Sequence, residues 1–370
     1  MLKMVSLYAD YRQSMWMDYI DRNLLINGGL ATLVSEGLRG VTSNPTIFHK
    51  AIGGSSDYDD TIRDLVQADP DLQGDILSEW ISIQDVRMAA DILASVYKSS
   101  NGSDGFVSLE VSPYLAFDTD ATIQAARHLW RAVDRPNLMI KVPGTVPGLP
   151  AIERLIAEGI NVNVTLLFSA LRYQAAAEAY QRGLALNPEP GKVASVASFF
   201  VSRVDSKIDP MLDKIGGPEA QSLKGKIAIA NAKMAYQQFK EIEASEAFAA
   251  ERARGARPQR PLWASTGTKN PAYSDVLYVD QLIGPETVNT VTPETLDAFQ
   301  THGEIAPTLE AGVETARRQL ETLGKLGIDL AEVCQELEQE GVKKFIDSHD
   351  QLLAVLEDKR GVVAKRSVSG

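Results

Sequence analysis

The sequence predicts an α/β protein: a single (β/α)8 TIM barrel with extra helices. Three observations carry that prediction. Eight short apolar runs alternate with longer stretches of helical period. The runs are apolar on both parities along most of their length, as parallel strands buried on both faces should be. The polar residues that interrupt them share one parity and cluster toward the C-terminal ends, where such a barrel keeps its active site. The strands are expected over 14–18, 40–44, 106–111, 137–142, 161–166, 194–200, 261–265 and 287–291.

The first run ends on Asp18, which also suits an N-cap for a helix over Tyr19–Leu25. In the second, Thr42 and Asn44 share a parity. Asn44 stands before Pro45 and serves equally well as a turn cap. The third reads Phe106–Pro113. Val107, Leu109 and Val111 face the helix layer, and Ser108 and Glu110 face the axis. In the fourth, Ile140 and Val142 face out and Lys141 faces in. In the fifth, Asn161, Asn163 and Thr165 face in, opposite Val162 and Val164. Ser169 follows as the cap of a helix that ends near Asn187-Pro188. In the sixth, Val196, Ser198 and Phe200 share a face. Ser198 is small enough to be plain barrel filling. The seventh run leads into Ser265-Thr266-Gly267-Thr268-Lys269-Asn270-Pro271.

Two gaps, Asn44 to Glu110 and Arg203 to Ser265, leave room for helices beyond the usual crossovers. The four arginines of Arg252–Arg260, set among Pro and Gly, are expected in a solvated loop. Residues 302–360 read as two or three outer helices, one opened by the capping box Asp329 and Glu332. The reading is one domain over 1–360 and a flexible tail over 361–370.

Composition narrows the function. The chain is 44% hydrophobic and 23% charged, enough for a large core. A formal net charge of −12 disfavours nucleic acid and anionic membranes as partners. One cysteine, Cys334, allows no intrachain disulfide. No signal sequence or membrane-spanning run is visible, so a cytoplasmic setting is expected. His49, His128, His302 and His349 are scattered without ligand spacing. No P-loop or dinucleotide fingerprint follows a strand. The expectation is no metal and no cofactor, with small-molecule substrates. Monomer and homodimer both remain open.

Lys141 stands out as the lysine placed inside an apolar strand at the inward parity. A lysine there can simply pack its stem and extend its ammonium to water. Glu110 and Thr165 on the flanking strands favour catalysis instead. A lysine attacks a ketose carbonyl only as the neutral amine, and desolvation favours that form. Making and breaking the carbinolamine needs a proton shuttle, for which Glu110 and a water held by Thr165 are suited. Cleavage between C3 and C4 needs a base at the C4 hydroxyl, and Asp18 on the opposite arc is the candidate. Asn44, Asn163 and Ser198 offer hydrogen bonds to sugar hydroxyls. Arg203, Ser265 and Lys269 sit in loops at the barrel end that commonly binds phosphate.

At these residues the sequence resembles the transaldolase family. The resemblance rests on Trp16-Met17-Asp18, Val41–Phe48, Ser108–Val111, Ile140–Pro143, Asn161–Ser169 and Ser198–Arg203. These segments occur in family order and span roughly residues 14 to 295. The resemblance implies a class I aldolase-type barrel. It implies transfer of a dihydroxyacetone unit from sedoheptulose 7-phosphate to glyceraldehyde 3-phosphate, giving erythrose 4-phosphate and fructose 6-phosphate. It further implies Lys141 as Schiff base, Glu110 with Thr165 and water as relay, and Asp18 as base. Many members have Pro and Gly where this chain has Phe199 and Ser202, and Phe-Arg-Asn near Thr266–Asn270. With Asp275–Asp280, these departures resemble the subgroup that also supplies the first half of fusions with glucose-6-phosphate isomerase. Two alternatives stay open: a fructose-6-phosphate-type aldolase releasing free dihydroxyacetone, and a non-catalytic sugar-phosphate-binding barrel.

Overall fold

The computed structural model describes residues 2–368, with side chains through residue 362. Eight parallel strands close into a barrel in sequence order. They are β1 (Gln13–Met17), β2 (Gly40–Val41), β3 (Phe106–Glu110), β4 (Leu138–Pro143), β5 (Val162–Leu167), β6 (Ser195–Phe200), β7 (Arg260–Ala264) and β8 (Thr287–Val291). β1 closes the ring on β8, with Gln13 opposite Thr287 and Met17 opposite Val291. Seven of the eight expected strands agree to within a residue at either end. β2 is shorter than expected, because Asn44 turns away to cap the helix Pro45–Gly54 and accepts from Ile47 N at 3.1 Å.

The long gaps hold helices, as the sequence suggests. Pro45–Gly54, Asp59–Ala68 and Gly74–Ser99 lie between β2 and β3. Ser202–Ile215, Gly217–Leu223, Ile227–Glu243 and Glu246–Ala253 lie between β6 and β7. Ser169 caps Ala170–Leu186 by accepting from Arg172 N. Asp18 is not a cap. That role falls to Asp21, which accepts from Leu24 N at 2.6 Å and opens Arg22–Ile26.

The arginine-rich segment departs from the expectation of a solvated loop. Arg252 lies in the helix Glu246–Ala253, and Arg260 begins β7 and is buried. Arg260 reaches Asp104 at 3.5 Å, at the N-terminal end of the barrel. Asp104 also accepts from Arg39 Nε at 2.7 Å and Trp16 Nε1 at 2.8 Å, and Ser14 donates to it. Asp104 is almost wholly buried in company with two guanidiniums. This cluster plugs the end of the barrel away from the loops that follow the strands.

At the other end lies the last helix, Leu330–Val368. It packs on Pro45–Gly54, and Thr46 donates to Ser348 at 2.8 Å. Cys334 donates to the carbonyl of Phe168 and is buried. The expected tail over 361–370 continues this helix through 368, and residues 369 and 370 lie outside the described residues. Among the described residues no helix is long and apolar enough to cross a membrane.

Candidate active site

Lys141 occupies the middle strand of a three-strand arc. In register it faces Glu110 on β3 and Asn163 on β5. It is 4% exposed, so its cation is held almost entirely by protein. Nζ stands 3.5 Å from Glu110 Oε2 and donates to the carbonyl of Ser43 at 3.2 Å. The ring of Phe345, from the last helix, lies 5.6 Å from Nζ.

The Glu110–Lys141 contact is loose for a buried pair. Both oxygens of Glu110 are buried without a hydrogen-bond partner, as is the hydroxyl of Thr165. Unpaired buried polar atoms are costly, and in functional sites they mark places where a ligand or water completes the network. Burial pushes the Glu110 carboxyl up to about 7. Asp18 adds to the rise, and Lys141 opposes it. A carboxyl in that range gives and takes protons near neutrality.

Thr165 owes its position to a bulge. The register of β5 against β6 shifts between Val164 and Leu167, and Leu166 adopts φ 62°. A leucine rarely takes this left-handed conformation, so the packing around it must hold it there. Bulges of this type re-aim side chains beside active sites.

The inward residues form a connected floor. Ser198 donates to Asn163 Oδ1 at 2.7 Å, and Asn163 donates to Ser108 Oγ at 3.0 Å. Asp18 lies just beyond β1, where Thr42 donates to its Oδ1 at 2.6 Å. The Thr42 hydroxyl also lies 2.7 Å from that of Thr290 on β8.

Above this floor opens a cavity of about 540 Å³. Asp18, Asn44, Lys141, Ser198, Arg203, Ser265 and Lys269 all line it. Glu110, Asn163 and Thr165 do not reach the cavity wall and sit behind Lys141 and Ser198. Asn44 lines it while its Oδ1 is engaged as a helix cap, which leaves its Nδ2 for a ligand. Phe200 lines the cavity, but Phe199 does not. Phe199 turns outward and meets Trp263 edge-on at 6.0 Å.

The rim is cationic. Arg203 is half-buried, with Phe200 5.1 Å below its guanidinium, and burial lowers its pKa. Ser265 adopts φ 55° and sets its hydroxyl 3.1 Å from that of Ser202. Two further cations, Lys50 and Lys344, line the same cavity and were not among the sequence-derived candidates. Arg203 is the largest influence depressing the pKa of Lys344, followed by burial and then Lys269 and Lys50. Among the described residues, Lys141 is the only cation of the cavity within ion-pair distance of a carboxylate. The other four cations, without an ion-pair partner, outnumber the carboxylates Asp18, Asp275 and Glu294 on the same wall, which favours an anion.

The sequence that builds this site matches a known family of proteins. The model of the transaldolase/fructose-6-phosphate aldolase family matches residues 15–356. The chain belongs to that family. It is 48% identical over 357 residues to a transaldolase of Parafrankia sp. (strain EAN1pec), covering 95% of this chain and 96% of that one. It is 49% identical over 348 residues to a transaldolase of Mycolicibacterium smegmatis, covering 92% and 93%. A transaldolase of Thiobacillus denitrificans is 48% identical over 347 residues, covering 92% and 96%. It is accordingly an enzyme, a transferase of the transaldolase kind.

Proposed function

We propose that this enzyme moves a dihydroxyacetone unit from sedoheptulose 7-phosphate to glyceraldehyde 3-phosphate through an imine on Lys141. The observation that carries this reading is a buried lysine 3.5 Å from a carboxyl poised near neutrality. The lysine sits at the base of a cavity whose rim carries unpaired cations.

Glu110 takes a proton from the Lys141 ammonium, and the neutral amine attacks C2 of the ketose. The C2 oxygen takes up the proton that the nitrogen sheds as the carbinolamine forms, Glu110 returns its own proton to the resulting hydroxyl, and water leaves to give the iminium. Asp18 removes the proton of the C4 hydroxyl. The C3–C4 bond breaks, its electron pair moves toward the iminium nitrogen, and erythrose 4-phosphate departs as the aldehyde. The three-carbon enamine left on Lys141 attacks the aldehyde carbon of the acceptor. Asp18 returns its proton to the new hydroxyl oxygen. Water, activated by Glu110 beside Thr165, hydrolyses the imine and frees fructose 6-phosphate. Phosphate held at Arg203, Ser265 and Lys269 fixes the distance from the anion to the reacting carbons. Asn44 and Ser198 orient the hydroxyls, and Asn163 acts behind them by fixing the Ser198 hydroxyl.

Borohydride with fructose 6-phosphate tests the lysine. A reduced three-carbon adduct is expected on the peptide that holds Lys141. An adduct on another peptide, or none, would remove Lys141 from the mechanism.

A further inference from the structure

The loop that follows β7 carries Lys269 and is anchored at both ends: Thr266 donates to Asn289 Oδ1 at 2.8 Å, and Asp275 lies 2.7 Å from His302 Nε2. Thr268 donates to the carbonyl of Ser274 at 2.7 Å, and Asn270 accepts from Ala272 N at 3.0 Å. The last two bonds shape the middle of the loop from within. The middle is attached to the helix Ser202–Ile215 by Tyr273, whose hydroxyl donates to Asp209 Oδ2 at 2.7 Å. Asp209 lies six residues after Arg203 on the helix Ser202–Ile215 and is 7% exposed. Its other oxygen accepts from Gly225 N at 3.1 Å.

Gly225 completes the seat. It adopts φ 68°, and a Cβ there would come within 2.9 Å of the Tyr273 ring. The ring therefore rests on bare backbone that only glycine supplies in this conformation. On the short helix Leu277–Gln281 that follows the loop, Tyr278 donates to Asp205 Oδ2 at 2.9 Å, and Asp205 Oδ1 accepts from Ala228 N at 2.8 Å. With the Ser202–Ser265 contact at its start, the segment after β7 is thus bonded at three places, Ser265, Tyr273 and Tyr278, to the helix whose first turn bears Arg203.

We propose that Tyr273 and Asp209 are positioning residues that clamp the Lys269 loop against the Arg203 helix. The clamp aims both cations at one substrate phosphate. The inference rests on the reading of Arg203 and Lys269 as phosphate anchors. The physical case is economy of motion. A lysine on a tethered loop gives up less conformational freedom on binding than one on a free loop, so more of its attraction appears as affinity. Tyr273 touches no substrate in this scheme and acts only through Lys269.

The test uses Tyr273→Phe, which keeps the ring on Gly225 and removes the bond to Asp209. KM for fructose 6-phosphate should rise about three- to tenfold, less than the roughly ten- to hundredfold of a hydrogen bond to a charged group, because Tyr273 acts on binding only through Lys269. kcat, and kcat/KM for unphosphorylated fructose, should stay where they are in the parent enzyme. Lys269→Ala and the double variant Lys269→Ala/Tyr273→Phe are measured alongside. If Tyr273 acts through Lys269, its effect disappears in the double variant. An undiminished effect there, an equal effect on unphosphorylated fructose, or no effect in the single variant overturns the clamp. If Lys269→Ala itself leaves KM for fructose 6-phosphate unchanged, the phosphate assignment of Lys269 falls, and the clamp with it.

Discussion

Replacing Glu110 by Gln should change the pH dependence of imine formation, and the structure sets where. Burial raises this carboxyl to about 7, against Lys141 and with Asp18. The ionised form is the one that accepts the lysine proton. A raised carboxyl pKa means that the base form accumulates only as pH climbs through about 7. The ionised fraction then grows from about one-tenth at pH 6 to about nine-tenths at pH 8, so the trapping rate should climb about ninefold. At its ordinary pKa the carboxyl would be ionised throughout, and it would contribute no slope over this range. Glu110→Gln should slow trapping about 10²–10⁴-fold and remove the slope assigned to Glu110. The assay is single-turnover borohydride trapping with fructose 6-phosphate, quenched at intervals between pH 5.5 and 8.5 and read by mass. A slope that survives in Glu110→Gln belongs to another group. That result, or a flat parent profile between pH 6 and 8, would refute the assignment.

Asp18→Asn should form the imine at nearly the parent rate but leave the uncleaved six-carbon sugar on Lys141. Mass analysis of the trapped peptide distinguishes the two adducts, and a three-carbon adduct would clear Asp18 of the cleavage step. Arg203→Ala should raise KM for fructose 6-phosphate about ten- to hundredfold, from the roughly 1.5–3 kcal/mol of a charge-assisted contact. Steady-state kinetics with fructose as the control would sink that assignment if both sugars suffered equally.

Most of the barrel was legible because a strand buried on both faces leaves a plain signature. Lys141, Glu110 and Thr165 stood out as polar residues at inward parity in runs that are otherwise apolar. The contributions from elsewhere in the chain were not legible. Phe345 and Lys344 reach the cavity only because the last helix crosses to it, some 200 residues from Lys141. Nothing in the local pattern of that helix distinguishes those two from neighbours that face outward. Leu166 shows the same limit at short range, since its left-handed backbone follows from the β5–β6 register and leucine gives no hint of it. Arg260 misled for the converse reason. Arg-Pro among other arginines has the composition of a loop, and only a buried partner such as Asp104 makes it a strand start. Asn44 reads equally as a turn cap and as a ligand for sugar hydroxyls; the structure shows the cap, and the residue also lines the cavity.

The same floor of residues could serve an enzyme that releases dihydroxyacetone or one that transfers it, and the difference lies in the fate of the enamine on Lys141. Release requires a proton at the former C3 before hydrolysis. Transfer requires that the acceptor aldehyde arrive first. In the proposed mechanism Asp18 carries the proton from the C4 hydroxyl after cleavage, but Thr42 holds that carboxyl against the β1–β2 side of the barrel. Glu110 lies on the other side of Lys141, below the cavity wall. Phe345 stands over the lysine nitrogen, and Phe200 lines the approach and packs on Phe168 at 5.2 Å. These rings keep water from the enamine carbon, and an aldehyde anchored by its phosphate enters where water is poorly held. Fructose 6-phosphate alone should therefore load the enzyme once, release one equivalent of glyceraldehyde 3-phosphate and then nearly stop. Adding erythrose 4-phosphate should restart turnover and yield sedoheptulose 7-phosphate. Phe345→Ser should narrow the gap by admitting water, raising release of dihydroxyacetone relative to transfer. Free dihydroxyacetone is measured with and without acceptor. Its release by the parent enzyme at a rate comparable to transfer would make the protein an aldolase on the same lysine.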